Sequence, residues 1–179
     1  MSKNILFAGF GGQGIQFCSK VMAYAGMLAG KQVSWLPSYG PEMRGGTSNC
    51  AVCIDDELIA SPLVNEPTYL FVLNEPSYAK FIDVVVPGGT VVYDSFLINS
   101  RTDRSDIKAY GIPATKIASE HKLPGLANMI ALGYILKKAD IIGLDIIKKS
   151  LEKIIPASKK DLIEKNLEAL NLGNEYSEE

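Results

Sequence analysis

The fold is decided by the stretch Lys3-Asn-Ile-Leu-Phe-Ala-Gly-Phe-Gly-Gly-Gln-Gly14. The run from Lys3 to Phe10 is mostly apolar and has the length of a buried strand, and a glycine-rich turn follows it at once. Residues 15–29 then form a nearly uncharged helical segment that Gly30 closes. A strand, a glycine-rich turn and a helix in direct succession predict the opening of an α/β fold.

The rest of the chain continues the alternation of strands and helices. Strands are predicted over 32–36, 47–54, 58–60, 69–73, 90–93 and 107–110, and helices from 74–77 onward, over 126–138 and 144–155, and from Ser158 to about Gly173. Residues 47–54 and 58–60 are expected to pair as a hairpin across the acidic turn 55–57, and Ser158 and Asp161 have capping-box spacing. The pattern predicts a single domain over residues 1–179, a three-layer α/β/α sandwich with a Rossmann-like mixed sheet.

Composition narrows the class of protein. The chain has 179 residues, of which 47% are hydrophobic and 21% charged, as in globular proteins. Its 18 basic and 20 acidic residues give a net charge of −2, so neither a nucleic acid nor a membrane is expected as partner. There are 3 cysteines, too few for a disulfide framework or for the four thiolates of an iron–sulfur cluster, and we find no secretory signal. A cytoplasmic protein is therefore expected.

The glycine-rich turn has two open interpretations. Gly9, Gly11 and Gly14 match the G-x-G-x-x-G pattern that binds the pyrophosphate of a dinucleotide between a strand and a helix. The acidic residue that should end the second strand about twenty residues further on is missing, because residues 34–37 read Ser-Trp-Leu-Pro. The alternative is that these glycines only let the strand and the helix pack closely.

A second glycine-rich segment is Gly40-Pro-Glu-Met-Arg-Gly-Gly-Thr-Ser-Asn-Cys50. An arginine among glycines suits a loop that presents backbone N–H groups and one positive charge to an anion or to a partner protein. Loops that follow the carboxyl ends of strands share one edge of an open α/β sheet. We therefore expect residues 9–14, 37–47 and 74–77 to be neighbours.

No catalytic set is recognisable. Asp94 is expected to cap a strand end, His121 to lie on the surface, and Cys50 and Cys53 to fill opposite faces of a strand, with no metal site. Residues 1–41 carry only three charges, all of them lysines, so this region is expected to be covered by its own fold or by another subunit. Binding loops without a catalytic set are typical of a subunit that completes the active site of another chain.

Three motifs carry a resemblance to a known family. Gly9-Phe-Gly-Gly-Gln-Gly14, Trp35-Leu-Pro-Ser-Tyr-Gly-Pro-Glu-Met-Arg-Gly-Gly-Thr-Ser-Asn-Cys50 and Pro87-Gly-Gly89 closely resemble the gamma subunit of 2-oxoacid:ferredoxin oxidoreductases. The same unit is an internal domain of single-chain pyruvate:ferredoxin oxidoreductases. The motifs look more like the 2-oxoglutarate type than the pyruvate type, and branched-chain 2-oxoacids stay open as substrates.

The resemblance implies the oxidative decarboxylation of a 2-oxoacid with coenzyme A to an acyl-CoA and CO2, with ferredoxin as electron acceptor. Thiamine diphosphate and the iron–sulfur clusters would lie on the partner alpha, beta and ferredoxin-like delta subunits. This chain would hold no catalytic residue, and its contact with coenzyme A would be lined on two sides by Gly11, Gly12, Gln13 and Gly14 and by Arg44, Gly45, Gly46 and Thr47. Isolated, it is expected to be able to form a homodimer. The alternatives are a free-standing nicotinamide or flavin oxidoreductase and a pure assembly scaffold.

Overall fold

The chain folds around a mixed sheet with helices on both faces. The computed structural model describes residues 2–39 and 46–177. The strands are β1 (Lys3–Phe10), β2 (Gln32–Tyr39), β3 (Thr47–Asp55), β4 (Tyr69–Val72), β5 (Thr90–Asp94) and β6 (Lys108–Ile112). The helices are α1 (Ile15–Leu28), α2 (Glu75–Phe81), α3 (Ala114–Glu120), α4 (Ala127–Lys138), α5 (Leu144–Ile154) and α6 (Lys160–Glu175), with short 3₁₀ turns at Ile82–Val84 and Ala157–Lys159.

The strand order of the six-stranded sheet is β2-β3-β1-β4-β5-β6. Strands β1, β4, β5 and β6 are parallel, whereas β3 is antiparallel to both of its neighbours, β1 and β2. Because β3 alone runs in the opposite direction, the other five strands all end at the same edge of the sheet. The carboxyl ends of these five strands therefore lie along that edge, as predicted, together with the described residues of the loops that follow them.

The two faces of the sheet are covered to different depths. On one face, Ile5, Phe7, Val52 and Phe71 belong to a large core that includes α1, α3, α4, α5 and α6. On the other face, a smaller core is closed mainly by α2 and the 3₁₀ turn after it. The three-layer α/β/α arrangement of the prediction is confirmed, with one thin outer layer.

Helix α4 is buried between the sheet and α6. Its residues from Asn128 to Ile135 are all buried. Glycines let α4 and α6 come into backbone contact, since a Cβ at Gly133 would lie 2.0 Å from the Leu170 carbonyl oxygen and one at Gly173 would lie 1.8 Å from that of Ile130. Apolar composition all round a helix is typical of such a position.

The predicted hairpin between residues 47–54 and 58–60 is wrong. Strand β3 is paired along both sides, with β1 and with β2, so neither edge is open to a third strand. Residues 58–60 form no strand, and the side chain of Leu58 is 87% exposed. The hairpin partner of β3 is β2, across the glycine-rich segment that begins at residue 40.

The last helix also differs from its prediction. The side chain of Ser158 caps nothing, because residues 157–159 form a 3₁₀ turn and α6 begins at Lys160 without a side-chain cap. The helix continues through Gly173 to Glu175, because Gly173 serves the contact with α4 and does not terminate the helix. Helix α3 was not predicted, since seven residues show too little periodicity.

We expect Gly173→Ala to lower the free energy of unfolding by about 3 kcal/mol, because the added methyl group collides with backbone atoms that have no room to move. Chemical denaturation monitored by circular dichroism measures this. Gly143→Ala is the matched control, since no atom lies within 4 Å of its Cβ position, and it should cost about 1 kcal/mol at most, as an N-cap change. Equal effects of the two substitutions would contradict the proposed close packing of α4 and α6.

Candidate functional site

The two glycine-rich loops are in direct contact. The Gly11 N–H donates to the Gly46 carbonyl oxygen over 2.9 Å. Just before this contact, Phe10 of β1 lies opposite Thr47 of β3 in the ladder. Gly11, Gly12, Gln13, Gly14, Gly46 and Thr47 are thus gathered at one edge, whereas Arg44 and Gly45 lie outside the described residues.

Gln13 holds the first glycine loop in place with its side chain. Its Oε1 accepts a 2.7 Å hydrogen bond from the Phe10 N–H, and its Nε2 donates to the Leu73 carbonyl oxygen at 2.8 Å. Asn74 Nδ2 lies 3.4 Å from the same Oε1, and the Oδ1 of Asn74 caps α2 by accepting from the Ser77 N–H. Because both ends of the Gln13 amide bond within the protein, this side chain orients the loop rather than facing a ligand.

The glycines of this loop have different roles. Gly9 and Gly14 are sites of close packing: a Cβ at Gly9 would lie 2.8 Å from Ile15 Cδ1, and one at Gly14 would lie 2.1 Å from Asn128 Nδ2. Gly12 is exposed and has a φ of 102°, with no atom within 4 Å of its Cβ position. The close-packing interpretation therefore holds for Gly9 and Gly14, and Gly12 is the residue whose backbone faces open space.

Sequence reasoning did not single out Asn128. It lies in the first turn of α4, and its Nδ2 donates to the Gly14 carbonyl oxygen at 3.3 Å. A buried asparagine in an otherwise apolar helix was the signal that was available. This contact fixes the start of α1 against α4.

The N-terminus of α1 opens at the same edge. The helix has no side-chain cap and no acidic residue in its first turn. Its first N–H groups therefore retain the partial positive charge that attracts an anion, with no carboxylate nearby in the helix to offset it. Gln16, in the same turn, is bonded to β3 through the Ser48 hydroxyl and the Asn49 carbonyl.

The sheet order argues against binding a dinucleotide in the Rossmann manner. In that fold the second strand adjoins the first, so that its terminal acid reaches the ribose. Here β3 lies between β1 and β2, which moves the end of β2 to roughly 9–10 Å from β1. The missing acid and the intervening strand have the same consequence: a nicotinamide dinucleotide lacks its ribose contact.

Asp94 is buried at the end of β5, where it caps the strand end as predicted, and it also bonds to the first turn of α3. Its two carboxylate oxygens accept from the Phe96 N–H at 3.0 Å and from the Thr115 N–H at 3.0 Å and hydroxyl at 2.5 Å. Burial raises the pKa of the carboxyl group, and the bonds from Thr115 partly offset this. The carboxylate faces the start of α3 rather than the glycine loops.

The cysteines are structural. Cys18, Cys50 and Cys53 are unpaired and buried, and Cys50 and Cys53 lie on opposite faces of β3. Burial raises the pKa of the Cys50 thiol to about 11 and raises the pKa of Cys18 and Cys53 as well. His121 is exposed, as expected.

Residues 2–39 and 46–177 contain no group of three His, Cys, Asp or Glu side chains arranged for a metal ion. None of the helices in these ranges combines the length and the apolar composition that a bilayer crossing requires.

The chain belongs to the pyruvate ferredoxin/flavodoxin oxidoreductase family, whose domain matches residues 4–176. Among curated relatives, it is 39% identical to the 2-oxoglutarate synthase subunit KorC of Methanocaldococcus jannaschii, over 100% of this chain and 96% of that protein. It is 38% identical to the ketoisovalerate oxidoreductase subunit VorA of Methanothermobacter thermautotrophicus, over 98% of this chain, and there it spans only 36% of the relative.

Solved structures agree with this placement. The gamma subunit of a keto/oxoacid ferredoxin oxidoreductase from Geobacter sulfurreducens superposes with a TM-score of 0.80 at 26% identity, covering 95% of both chains. The 2-oxoglutarate:ferredoxin oxidoreductase of Magnetococcus marinus, solved with 2-oxoglutarate, coenzyme A and succinyl-CoA, superposes with a TM-score of 0.86 at 25% identity, over 99% of this chain and 32% of that one. The resemblance to gamma subunits is confirmed.

We expect none of the three thiols to react with Ellman's reagent in the native protein at pH 8, because buried thiols with raised pKa values carry little thiolate. All three should react in guanidinium chloride. The absorbance of the released thionitrobenzoate counts them. A fast-reacting native thiol would contradict the structural role of the cysteines.

We expect the stability difference between the wild type and Asp94→Asn to shrink as the pH rises above about 4, near the ordinary pKa of an aspartic acid. Burial raises the folded-state pKa of Asp94, so the folded state binds the proton more tightly than the unfolded state, and the wild type loses stability as the pH rises through the folded-state pKa. The amide does not titrate, although it fits the Phe96 and Thr115 donors less well. Urea denaturation at several pH values measures the difference, and a constant difference would contradict the raised pKa.

Proposed function

We propose that this chain is the gamma-type subunit of a multi-subunit 2-oxoacid:ferredoxin oxidoreductase, with 2-oxoglutarate as the substrate of the complex. The complex would convert 2-oxoglutarate and coenzyme A to succinyl-CoA and CO2 and reduce ferredoxin. The observation that carries the proposal is the match to a KorC subunit over 100% of this chain and 96% of that protein, together with the contact between the two glycine loops.

The role proposed for this chain is to hold part of coenzyme A. Gly12 presents an exposed backbone at the sheet edge, and the uncapped N-terminus of α1 attracts anions. Gly46 and Thr47 approach from the neighbouring loop, whose Arg44 would add a positive charge. Backbone N–H groups and a guanidinium match the phosphates of coenzyme A. Gln13 would orient the loop from behind.

The chemistry itself would belong to the partner subunits. Thiamine diphosphate supplies the carbanion chemistry of decarboxylation and iron–sulfur clusters carry the electrons, and both are placed on alpha, beta and delta chains in this proposal. Several large side chains near the join of α1 and β2 stay exposed, among them Met27 at 60% and Trp35 at 40%. Exposed apolar side chains of this kind support the proposal that this surface is buried against a partner subunit. The three unpaired thiols suit a reducing cytoplasm, where we place the complex.

A branched-chain 2-oxoacid is the second candidate substrate. The 38% identity to a ketoisovalerate oxidoreductase subunit nearly equals the 39% identity to KorC. Assays of the assembled complex with 2-oxoglutarate and with 2-oxoisovalerate decide between the two.

The test is kinetic and uses the complex reconstituted with its catalytic subunits. Gln13→Ala removes two hydrogen bonds that hold the glycine loop, so we expect the KM for coenzyme A to rise about tenfold with a smaller change in kcat. Arg44→Ala should raise the same KM. Gln32→Ala, an exposed glutamine at the start of β2, is the matched control and should leave KM unchanged.

Two results would contradict the proposal in different ways. If the complex assembles and both variants keep the wild-type KM, this chain is an assembly scaffold without a ligand. If the chain does not co-purify with a thiamine-diphosphate-binding chain, the subunit role itself is wrong.

A further inference from the structure

The open edge of β6 is a feature that the proposed function does not use. Strand β6 is the last strand of the sheet, and β5 lies on one side of it only. The Lys108 N–H donates to the Gly89 carbonyl and the Ile112 carbonyl accepts from the Ser95 N–H. In a parallel ladder, the residues that bond to the neighbour alternate. The even-numbered residues of β6 therefore face β5, and the backbone groups of Ala109 and Gly111 face outward.

These outward groups have no partner among the described residues. No hydrogen bond joins the N–H or C=O of Ala109 or Gly111 to other described parts of the chain beyond the β5 ladder. Ala109 is exposed and Gly111 is half-buried. An unpaired strand edge is a template for one more strand, and proteins usually cover or block it.

The opposite edge of the sheet is blocked. Strand β2 carries Pro37, which has no N–H to offer. Strand β6 contains no proline, and its two residues with outward-facing backbone groups, Ala109 and Gly111, are small. The two edges therefore differ in their capacity to accept a further strand.

A cleft of about 700 Å3 follows the β6 edge, with Ala109 and Gly111 in its lining. Tyr93 and Arg101 line it from one face of the sheet, and Lys116 and Tyr176 from the other side. A Cβ at Gly111 would come within 2.9 Å of the Tyr93 ring, so glycine is the residue that lets the ring lie across the strand. An extended peptide could lie in this cleft along the β6 edge, between the Tyr93 and Arg101 side chains and those of Lys116 and Tyr176.

The walls carry positive charge. The Arg101 guanidinium lies 5.1 Å from the centre of the Tyr93 ring, and its Nη1 donates to the Ile98 and Ser100 carbonyls. Lys116 lines the cleft from α3, and Glu120, 3.9 Å from it, is the one carboxylate among the described lining residues. The described part of the lining thus has one net positive charge, on a chain whose net charge is −2. A strand that docks here would be favoured by acidic side chains.

We propose that the β6 edge is a β-augmentation site, where an extended acidic segment of a partner subunit adds a seventh strand by bonding to Ala109 and Gly111. Main-chain bonds to these two residues would provide affinity, and Arg101 and Lys116 would select acidic side chains. The inference rests on the proposed function, because it takes the partner from the same complex. It also gives this chain a contact with a partner away from the glycine loops.

The first experiment compares amide hydrogen exchange in the isolated chain and in the reconstituted complex, by mass spectrometry with residue-level fragmentation. We expect the Ala109 and Gly111 amides to exchange at least about tenfold more slowly in the complex. Co-elution and 2-oxoacid oxidation establish separately that the complex has formed. An assembled, active complex with unprotected amides would overturn the augmentation site and leave the proposed function intact, whereas failure to assemble overturns both.

The second experiment removes the edge donor. Ala109→Pro deletes an outward N–H without touching the β5 ladder, and Ala109→Ser is its control because it keeps the N–H. Lys116→Glu tests the charge, with the exposed Lys149→Glu on α5 as control. We expect Ala109→Pro and Lys116→Glu to weaken assembly at least about tenfold by titration of the partner chains, with thermal melting confirming that each variant folds. Folded variants that assemble like the wild type would overturn the proposal.

Discussion

The antiparallel strand β3, bonded along both of its sides, is the constraint on which the rest of the structure depends. It lies between β1 and β2, which are therefore parallel to each other but not adjacent. As a result β3 begins beside the first glycine loop, and the Gly11 N–H reaches the Gly46 carbonyl. The same strand removes the geometry that a Rossmann dinucleotide site requires. One choice of strand order therefore both builds the candidate site and excludes the main alternative for it.

Side chains then fix what β3 brings together. Gln13 bonds across the glycine loop to the end of β4, Asn74 extends this contact to the cap of α2, and Asn128 holds Gly14 from α4. Amide side chains suit this role because each has both a donor and an acceptor and carries no charge to bury. These hydrogen bonds fix the loop, while the backbone of Gly12 within it stays exposed. In the proposed complex, such a site would bind with main-chain groups, and the reaction would belong to residues of other chains.

The lengths of the relatives bear on the surfaces that the proposed complex would bury. In KorC of M. jannaschii it is nearly the whole chain, whereas it is about a third of VorA of M. thermautotrophicus and of the M. marinus enzyme. In the proposed complex, such a unit would dock on partner chains or domains in either case. The exposed apolar groups near α1 and β2 and the open edge of β6 are the surfaces that we propose for this docking.

The sequence by itself determined the α/β class, most strand and helix positions, the gathering of the glycine loops at one edge, and the family, because each of these follows from local periodicity, from turn chemistry or from specific motifs. It did not predict that β2 is the partner of β3, because local sequence does not say which strand the fold places beside a buried apolar strand. Nor did the sequence show which glycines allow close packing and which face open space. Gly14 and Gly173 are needed for contacts with Asn128 and Ile130, which lie far away along the chain. Only the tertiary structure decided these points, because a glycine's role depends on which atoms the fold places against its missing side chain.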